Sequence, residues 1–200
     1  MIKYSDLETE KKAVVFELDD VLFPKKDYDL QVFYLFANFI EYVEQFPPAQ
    51  DMLNFMSKRY EVHGKQSMFN EVSLTFGVDS KYKENYYRLY ENAKLPLKLL
   101  LYKEILELIQ ELVINRKQIF IFTSGNAKIQ FNKITQMEWN GLEKYLKVYY
   151  LEEFDNNFCK AIETLLEQNE LDKQDIVFIG RLKDEEQVRL SGVSFVSVNN

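Results

Sequence analysis

The sequence is short of the residues that form covalent cross-links, histidine-based sites and membrane spans. It contains one cysteine among 200 residues, so no disulfide can form within the chain, and it contains one histidine, His63. The first 12 residues are charged and lack the apolar core of a secretory signal. Charges interrupt every apolar run well before the roughly 18 residues that a membrane helix needs. We therefore expect a cytoplasmic protein without a membrane partner.

An excess of basic residues is also missing. The chain has 25 Lys and Arg against 32 Asp and Glu, which gives a formal net charge of −7. An acidic chain gains little from the phosphates of a nucleic-acid backbone, so we expect no nucleic-acid partner. Glycine and proline are sparse, with 6 and 4 residues. The chain should therefore consist mostly of regular helices and strands.

Short apolar runs rich in β-branched and aromatic residues predict five buried strands. The first strand is Ala13-Val14-Val15-Phe16, and the other four runs span 118–122, 147–151, 175–179 and 194–198. Helical patterns over 102–113, 127–137 and 157–169 lie between the last four runs. Strands that alternate with helices indicate βαβ units. The predicted fold class is α/β, with a Rossmann-like five-stranded parallel sheet flanked by helices.

The segment between the first and second predicted strands has a different pattern. Residues 24–96 contain no convincing strand, and helical patterns cover 27–45, 50–62, 67–76 and 81–92. This segment is too long for a simple connection in a compact sheet. We interpret it as an inserted all-helical cap domain on a core domain formed by residues 1–23 and 97–200. Most of the aromatic residues between Phe33 and Phe46 are expected in its core.

Polar residues follow each predicted strand at the carboxyl edge of the sheet, which is where ligands bind in open parallel sheets. They are Glu17, Asp19 and Asp20 after the first strand, Thr123, Ser124, Gly125 and Asn126 after the second, Glu152, Glu153, Asp155 and Lys160 after the third, and Gly180, Arg181, Asp184, Glu185 and Glu186 after the fourth. Carboxylates, a hydroxyl group and cations that converge in this way are typical of a phosphate and metal site.

The order of these motifs resembles that of the haloacid-dehalogenase-like (HAD) phosphohydrolases. The run from Val14 to Phe23 resembles the first motif of that family, a strand followed by Asp-x-Asp. The run from Ile119 to Asn126 resembles the second motif, and the run from Ile176 to Gly180 leads into the fourth. A helical insert after the first motif is similar to the cap of subfamily I, which includes nucleotidases and sugar phosphatases.

The resemblance implies a catalytic role for three residues of the first two motifs. Glu17 stands where the family has the aspartate that attacks phosphorus, whereas Asp19 keeps the acid/base position. Thr123 keeps the phosphate-holding position, and Ser124 and Gly125 extend that loop. The carboxylate of Glu17 is displaced by one methylene group, and a misplacement of ~1 Å can slow a reaction by about 100-fold.

The third and fourth motifs depart further from the family pattern. Asn156 occupies the usual place of the third-motif lysine, and Lys160, one helical turn later, is the candidate for the catalytic and phosphate-binding cation. Arg181 replaces the metal-binding aspartate of the fourth motif, so it is expected to bind phosphate and to act as counter-ion for Glu17 and Asp19. The metal ligands, if Mg²⁺ binds, would be Glu17, Asp19 and Glu185.

Three functional hypotheses follow from these departures. The first is a phosphohydrolase-like pseudoenzyme that binds a small phosphorylated molecule or a partner and needs no cofactor. The second is a Mg²⁺-dependent phosphomonoester hydrolase of the nucleotidase or sugar-phosphatase class. The third is a non-catalytic interaction domain, for which self-association into a homo-oligomer stays open. The sequence does not select a substrate among these.

Overall fold

A computed structural model describes residues 4–7 and 10–198, and its central feature is a five-stranded, wholly parallel sheet. The strands run in the spatial order β5-β3-β1-β6-β7. Their bounds are β1 Ala13–Phe16, β3 Gln118–Thr123, β5 Leu146–Tyr150, β6 Ile176–Gly180 and β7 Ser194–Ser197. Each bound lies within one residue of the predicted run, so the predicted α/β fold is confirmed.

Strand β1 occupies the middle of this sheet because its side chains are apolar on both faces. It pairs with β3 on one side, where Val15 is opposite Phe120, and with β6 on the other, where Val15 is opposite Phe178. All four residues of β1 are buried. The residues that follow Phe16 therefore emerge at the centre of the carboxyl edge, between the ends of β3 and β6.

Four helices accompany the sheet, together with a small second sheet. The helices are α5 Lys103–Ile114, α6 Ala127–Thr135, α7 Phe158–Gln168 and α8 Glu185–Leu190, and the second sheet pairs β2 Leu99–Leu100 with β4 Met137–Glu138. The helix predicted over 127–137 ends at Thr135, because Met137 and Glu138 pair with Leu99 and Leu100 in β2. Helix α8 was not predicted from the sequence.

The chain divides into two compact units. The first comprises Met1–Pro24 and Leu99–Asn200 and contains the sheet, and the second comprises Lys25–Lys98. The second unit is formed by four helices, α1 Lys25–Glu44, α2 Ala49–His63, α3 Met68–Phe76 and α4 Lys83–Asn92. None of the helices in the described residues is long and apolar enough to cross a membrane.

Aromatic rings fill the core of the helical unit. The ring of Phe36 contacts those of Phe69 and Tyr86, with centroid distances of 5.9 and 5.1 Å. Most aromatic residues between Phe33 and Phe46 were expected in this core, but Tyr34, Tyr42 and Phe46 are exposed. Tyr42 lies near the end of α1 and Phe46 just beyond it.

A fully buried carboxylate, that of Asp29, also lies within the helical unit. Lys25 forms an ion pair with it one helical turn away, and the hydroxyl group of Tyr60 donates a hydrogen bond of 2.8 Å. Lys65 adds a second positive charge at 3.8 Å. Because an uncompensated buried charge is very unfavourable, these cations are required for α1 to pack as it does.

Gly180, the last residue of β6, lies against two aromatic rings. A Cβ atom at this position would lie 3.0 Å from Phe178 and 3.1 Å from Phe195. We predict that Gly180→Ala lowers the free energy of unfolding by about 1–3 kcal/mol, because the added methyl group overpacks the sheet. Urea unfolding would measure the loss. The Phe195→Leu change should restore part of it in the double variant, and an unchanged stability of Gly180→Ala would contradict this packing.

Candidate functional site

The turn that follows β1 places three carboxylates at the carboxyl edge of the sheet. The backbone N–H of Glu17 donates to the carbonyl oxygen of Ile179 at 3.0 Å, which continues the pairing of β1 with β6. Asp20 adopts a left-handed backbone conformation with φ of 61°, which aspartate tolerates better than most residues. Its N–H donates to the carbonyl oxygen of Phe23 and closes the turn. Glu17 and Asp19 are only 6% and 8% exposed.

The buried position of Glu17 alters its protonation. Burial raises the pKa of its carboxyl group from the ordinary 4.5 to about 8. The negative charges of Asp184 and Asp19 raise this pKa as well, whereas Arg181 and Lys183 act in the opposite direction. Glu17 is therefore mostly protonated at neutral pH and carries no charge.

Asp19 is held by a lysine from a different part of the chain. The ammonium group of Lys133, near the end of α6, donates to both carboxylate oxygens of Asp19, at 2.8 and 2.7 Å. The Lys133 side chain is 2% exposed. Two charge-assisted hydrogen bonds in a buried environment make this the most strongly paired carboxylate of the turn.

Arg181 forms an ion pair with the third carboxylate of the turn, that of Asp20. Its Nη1 donates to Asp20 at 2.9 Å, and its Nε lies 3.9 Å from Asp184, beyond hydrogen-bonding distance. The backbone N–H of Arg181 donates to the Asp184 carboxylate at 3.1 Å, which fixes the loop after β6. Arg181 therefore forms its ion pairs with Asp20 and Asp184, and its positive charge also lowers the pKa of Glu17 without an ion pair between them. The expected ion pair with Asp19 is not formed, because Lys133 engages both oxygens of that carboxylate.

Thr123, at the end of β3, has a fully buried hydroxyl group with no hydrogen-bond partner among the described residues. Ser124 and Gly125 follow it in an exposed loop, and Gly125 has φ of 98°. The side-chain nitrogen of Gln130 donates to the carbonyl oxygen of Ser124 and braces this loop. A buried hydroxyl group without a partner costs about 1–3 kcal/mol, so the hydroxyl group of Thr123 has hydrogen-bonding capacity that no described residue satisfies.

Two residues that the sequence assigned to the site pair with residues close to them in the chain. Lys160 is exposed, and its ammonium group lies 3.2 Å from Asp155. Its backbone N–H donates to the side-chain oxygen of Asn157, the N-cap of α7. Glu185 accepts a hydrogen bond of 2.7 Å from Arg189, one turn along α8. The roles of Lys160 and Glu185 at the site stay predictions.

Lys133 was not among the residues expected at the site from the sequence, and Asp184 was named after the fourth strand but its neighbour Glu185 was preferred as the second acid. Gln130 and Lys133, three residues apart, are the buried positions of α6, so a polar face of this helix points inward. The spacing places both residues on one face of the helix, but the sequence alone does not show that this face is buried. Asp184 ends a short 3-10 turn that begins at Leu182, and its negative charge raises the pKa of Glu17.

The donor set of the site does not suit a divalent cation. Within residues 4–7 and 10–198 no group of three or more His, Cys, Asp or Glu side chains is arranged to hold a metal ion. Asp19 already accepts two hydrogen bonds from Lys133, and Arg181 adds a positive charge where Mg²⁺ needs oxygen ligands. The residues present do not fit Mg²⁺.

The family of the chain follows from a match that spans this whole architecture. Residues 14–198 match the model of the haloacid dehalogenase-like hydrolases. The chain therefore belongs to this family. No curated protein sequence matches it significantly.

Solved structures share the fold at low sequence identity. A haloacid dehalogenase-like hydrolase from Xanthomonas campestris is 15% identical, with a TM-score of 0.56, over 94% of this chain and 82% of that one. YfnB from Bacillus subtilis, assigned to the HAD hydrolases and solved with bound magnesium, is 14% identical, with a TM-score of 0.61, over 93% and 86%. A subfamily IA hydrolase from Geobacter sulfurreducens is 16% identical, with a TM-score of 0.55, over 94% and 87%.

The protonation of Glu17 predicts a pH dependence of stability. Unfolding exposes the carboxyl group, and its pKa falls from about 8 to 4.5, so unfolding between these pH values releases a proton. The contribution of Glu17 to stability is fully present below pH 4.5 and is lost as the pH rises through 8. We predict that Glu17→Gln, which stays neutral, gains stability relative to the unmodified protein by on the order of 3 kcal/mol between pH 5 and pH 8.

Urea unfolding at both pH values would measure this difference. Glu163→Gln, on the exposed face of α7, is the matched control and should show no such trend. A Glu17→Gln variant whose stability parallels that of the unmodified protein across this range would mean that Glu17 is ionised in the folded state.

Proposed function

We propose that this chain binds a small phosphorylated ligand at the carboxyl edge of its sheet and does not hydrolyse it by the Mg²⁺-dependent route of its family. The observation that carries the proposal is the pairing of the turn carboxylates with cations of the chain itself. Lys133 holds Asp19 and Arg181 holds Asp20, so charges that would attract a metal ion are already neutralised.

The nucleophile position supports the same conclusion. Attack on phosphorus needs an ionised carboxylate, and burial keeps Glu17 mostly protonated at neutral pH. The extra methylene group of glutamate also moves the carboxylate relative to the aspartate of the family. A bound metal ion would stabilise the negative charge that develops in the transition state, but the donor set does not fit a metal ion. The protonation of Glu17, its extra methylene group and the unsuitable donor set all disfavour the same step, the attack on phosphorus.

Ligand binding is supported by the donors that remain. The Thr123 hydroxyl group is buried without a partner, and the exposed backbone of Ser124 and Gly125 continues from it into α6. Arg181 contributes a planar cation that suits phosphate oxygens, and its Nε also lacks a hydrogen-bond partner within the described residues. Lys133 and Arg181 balance the negative charges of Asp19 and Asp20, so the net charge of the site before a phosphate group binds is close to zero.

We predict no Mg²⁺-dependent phosphate release from a panel of nucleoside, sugar and short-chain phosphomonoesters. The reason is that neither an ionised nucleophile nor a metal site is present. Phosphate release with and without Mg²⁺ is the measurement, and Asp19→Asn is the control for contaminating phosphatases. Turnover that requires Mg²⁺ and disappears in Asp19→Asn would establish an active hydrolase and end this proposal.

We also predict that Thr123→Val weakens the binding of inorganic phosphate by about 10-fold or more, because a hydrogen bond to a charged group is lost. The same change should stabilise the unliganded protein by about 1 kcal/mol, since it removes a buried hydroxyl group without a partner. Isothermal titration and urea unfolding measure the two effects. Thr123→Ser keeps the hydroxyl group and should bind phosphate as the unmodified protein does. Equal affinity in Thr123→Val would exclude this hydroxyl group from the site.

A further inference from the structure

Lys133 combines three features that a surface lysine does not have. Its side chain is 2% exposed, its ammonium group contacts both oxygens of Asp19, and it comes from the helix that follows β3 and not from the turn that carries Asp19. The two residues are 114 positions apart in the sequence. A contact of this kind forms only when β1 and β3 are paired.

A carboxylate with both oxygens engaged by one ammonium group has little left to offer a metal ion. A divalent cation at hydrogen-bonding distance from Asp19 would lie close to the positive charge of Lys133, in surroundings that screen charge poorly. The lysine is covalently attached and is therefore present at any metal concentration. Magnesium, by contrast, binds only as its concentration allows.

We infer that Lys133 is a tethered counter-ion of Asp19 whose positive charge disfavours a divalent cation at the turn that follows β1. The inference rests on the proposed function in one respect, that the site works without Mg²⁺. It deepens that proposal because it assigns the exclusion of the metal ion to one residue of α6. Arg181, the visible departure in the fourth motif, is then not sufficient to explain the loss of metal binding.

The test compares Mn²⁺ binding in variants in which the family carboxylates are rebuilt. Mn²⁺ uses the same oxygen ligands as Mg²⁺, and its free ion is measured by electron paramagnetic resonance. The double variant Glu17→Asp/Arg181→Asp restores both family acids but keeps Lys133. The triple variant adds Lys133→Met. We expect the triple variant to bind Mn²⁺ at least about tenfold more tightly than the double variant, with the unmodified protein showing no binding.

Lys128→Met in the double-variant background is the matched control, because Lys128 is an exposed lysine of the same helix. It should not change Mn²⁺ binding. Equal Mn²⁺ affinity in the double and triple variants would overturn the inference, and so would absence of binding in both when both are folded. Mn²⁺ binding to the unmodified protein would overturn it as well.

A second measurement serves if the triple variant does not fold. Lys133→Met alone leaves Asp19 buried without its cation and should lower the melting midpoint by roughly 10 °C, whereas Asp19→Asn/Lys133→Met should recover most of that loss. A Lys133→Met variant as stable as Lys128→Met would contradict a tethered counter-ion. Phosphatase activity in the unmodified protein would contradict the proposed function. The Mn²⁺-binding and melting measurements test the role of Lys133 separately.

Discussion

The cost of burying charge at the end of strand β1 governs the site of this protein. The strand lies in the middle of the sheet, so the residues that follow it emerge where water has little access. Three of those residues carry carboxyl groups, and Glu17 and Asp19 are almost fully buried. A buried carboxylate must gain a proton, a metal ion or a cationic side chain. Glu17 takes a proton, whereas Asp19 and the more exposed Asp20 each pair with a cationic side chain.

The sheet topology determines which cations are available. Strand β1 is flanked by β3 and β6, and each neighbour leads into a segment that delivers one positive charge. Helix α6, after β3, brings Lys133 to Asp19, and the loop after β6 brings Arg181 to Asp20. Glu17 lies between these pairs and takes a proton, because burial outweighs the nearby positive charges. The negative charges of the site are therefore balanced by cationic side chains of the same chain.

The sheet was predictable from sequence because its strands are buried on both faces and appear as uninterrupted apolar runs. The five strand positions, Glu17, Asp19 and Thr123 followed from that pattern and from the order of motifs. Lys133 did not follow, because a lysine in an amphipathic helix is normally solvated, and only the packed structure shows that α6 turns a polar face inward. Lys160 is the complementary case. It follows β5 as expected, but its exposed ammonium group pairs with Asp155, so its role at the site stays a prediction.

The helical unit also contains a buried carboxylate that is compensated by cations of the chain. Asp29 is fully buried in α1, and Lys25, Lys65 and the hydroxyl group of Tyr60 compensate it within that unit. Both compact units therefore bury a carboxylate against tethered cations, and in both the partners belong to the same unit. A fold that neutralises its buried acids internally does not depend on a diffusible ion for stability. A site that binds Mg²⁺ needs the opposite arrangement, because its carboxylate oxygens must be available to coordinate the metal ion. Lys133 beside Asp19 is therefore the contact that acts most directly against a divalent cation in this site, since its ammonium group already engages both oxygens of that carboxylate.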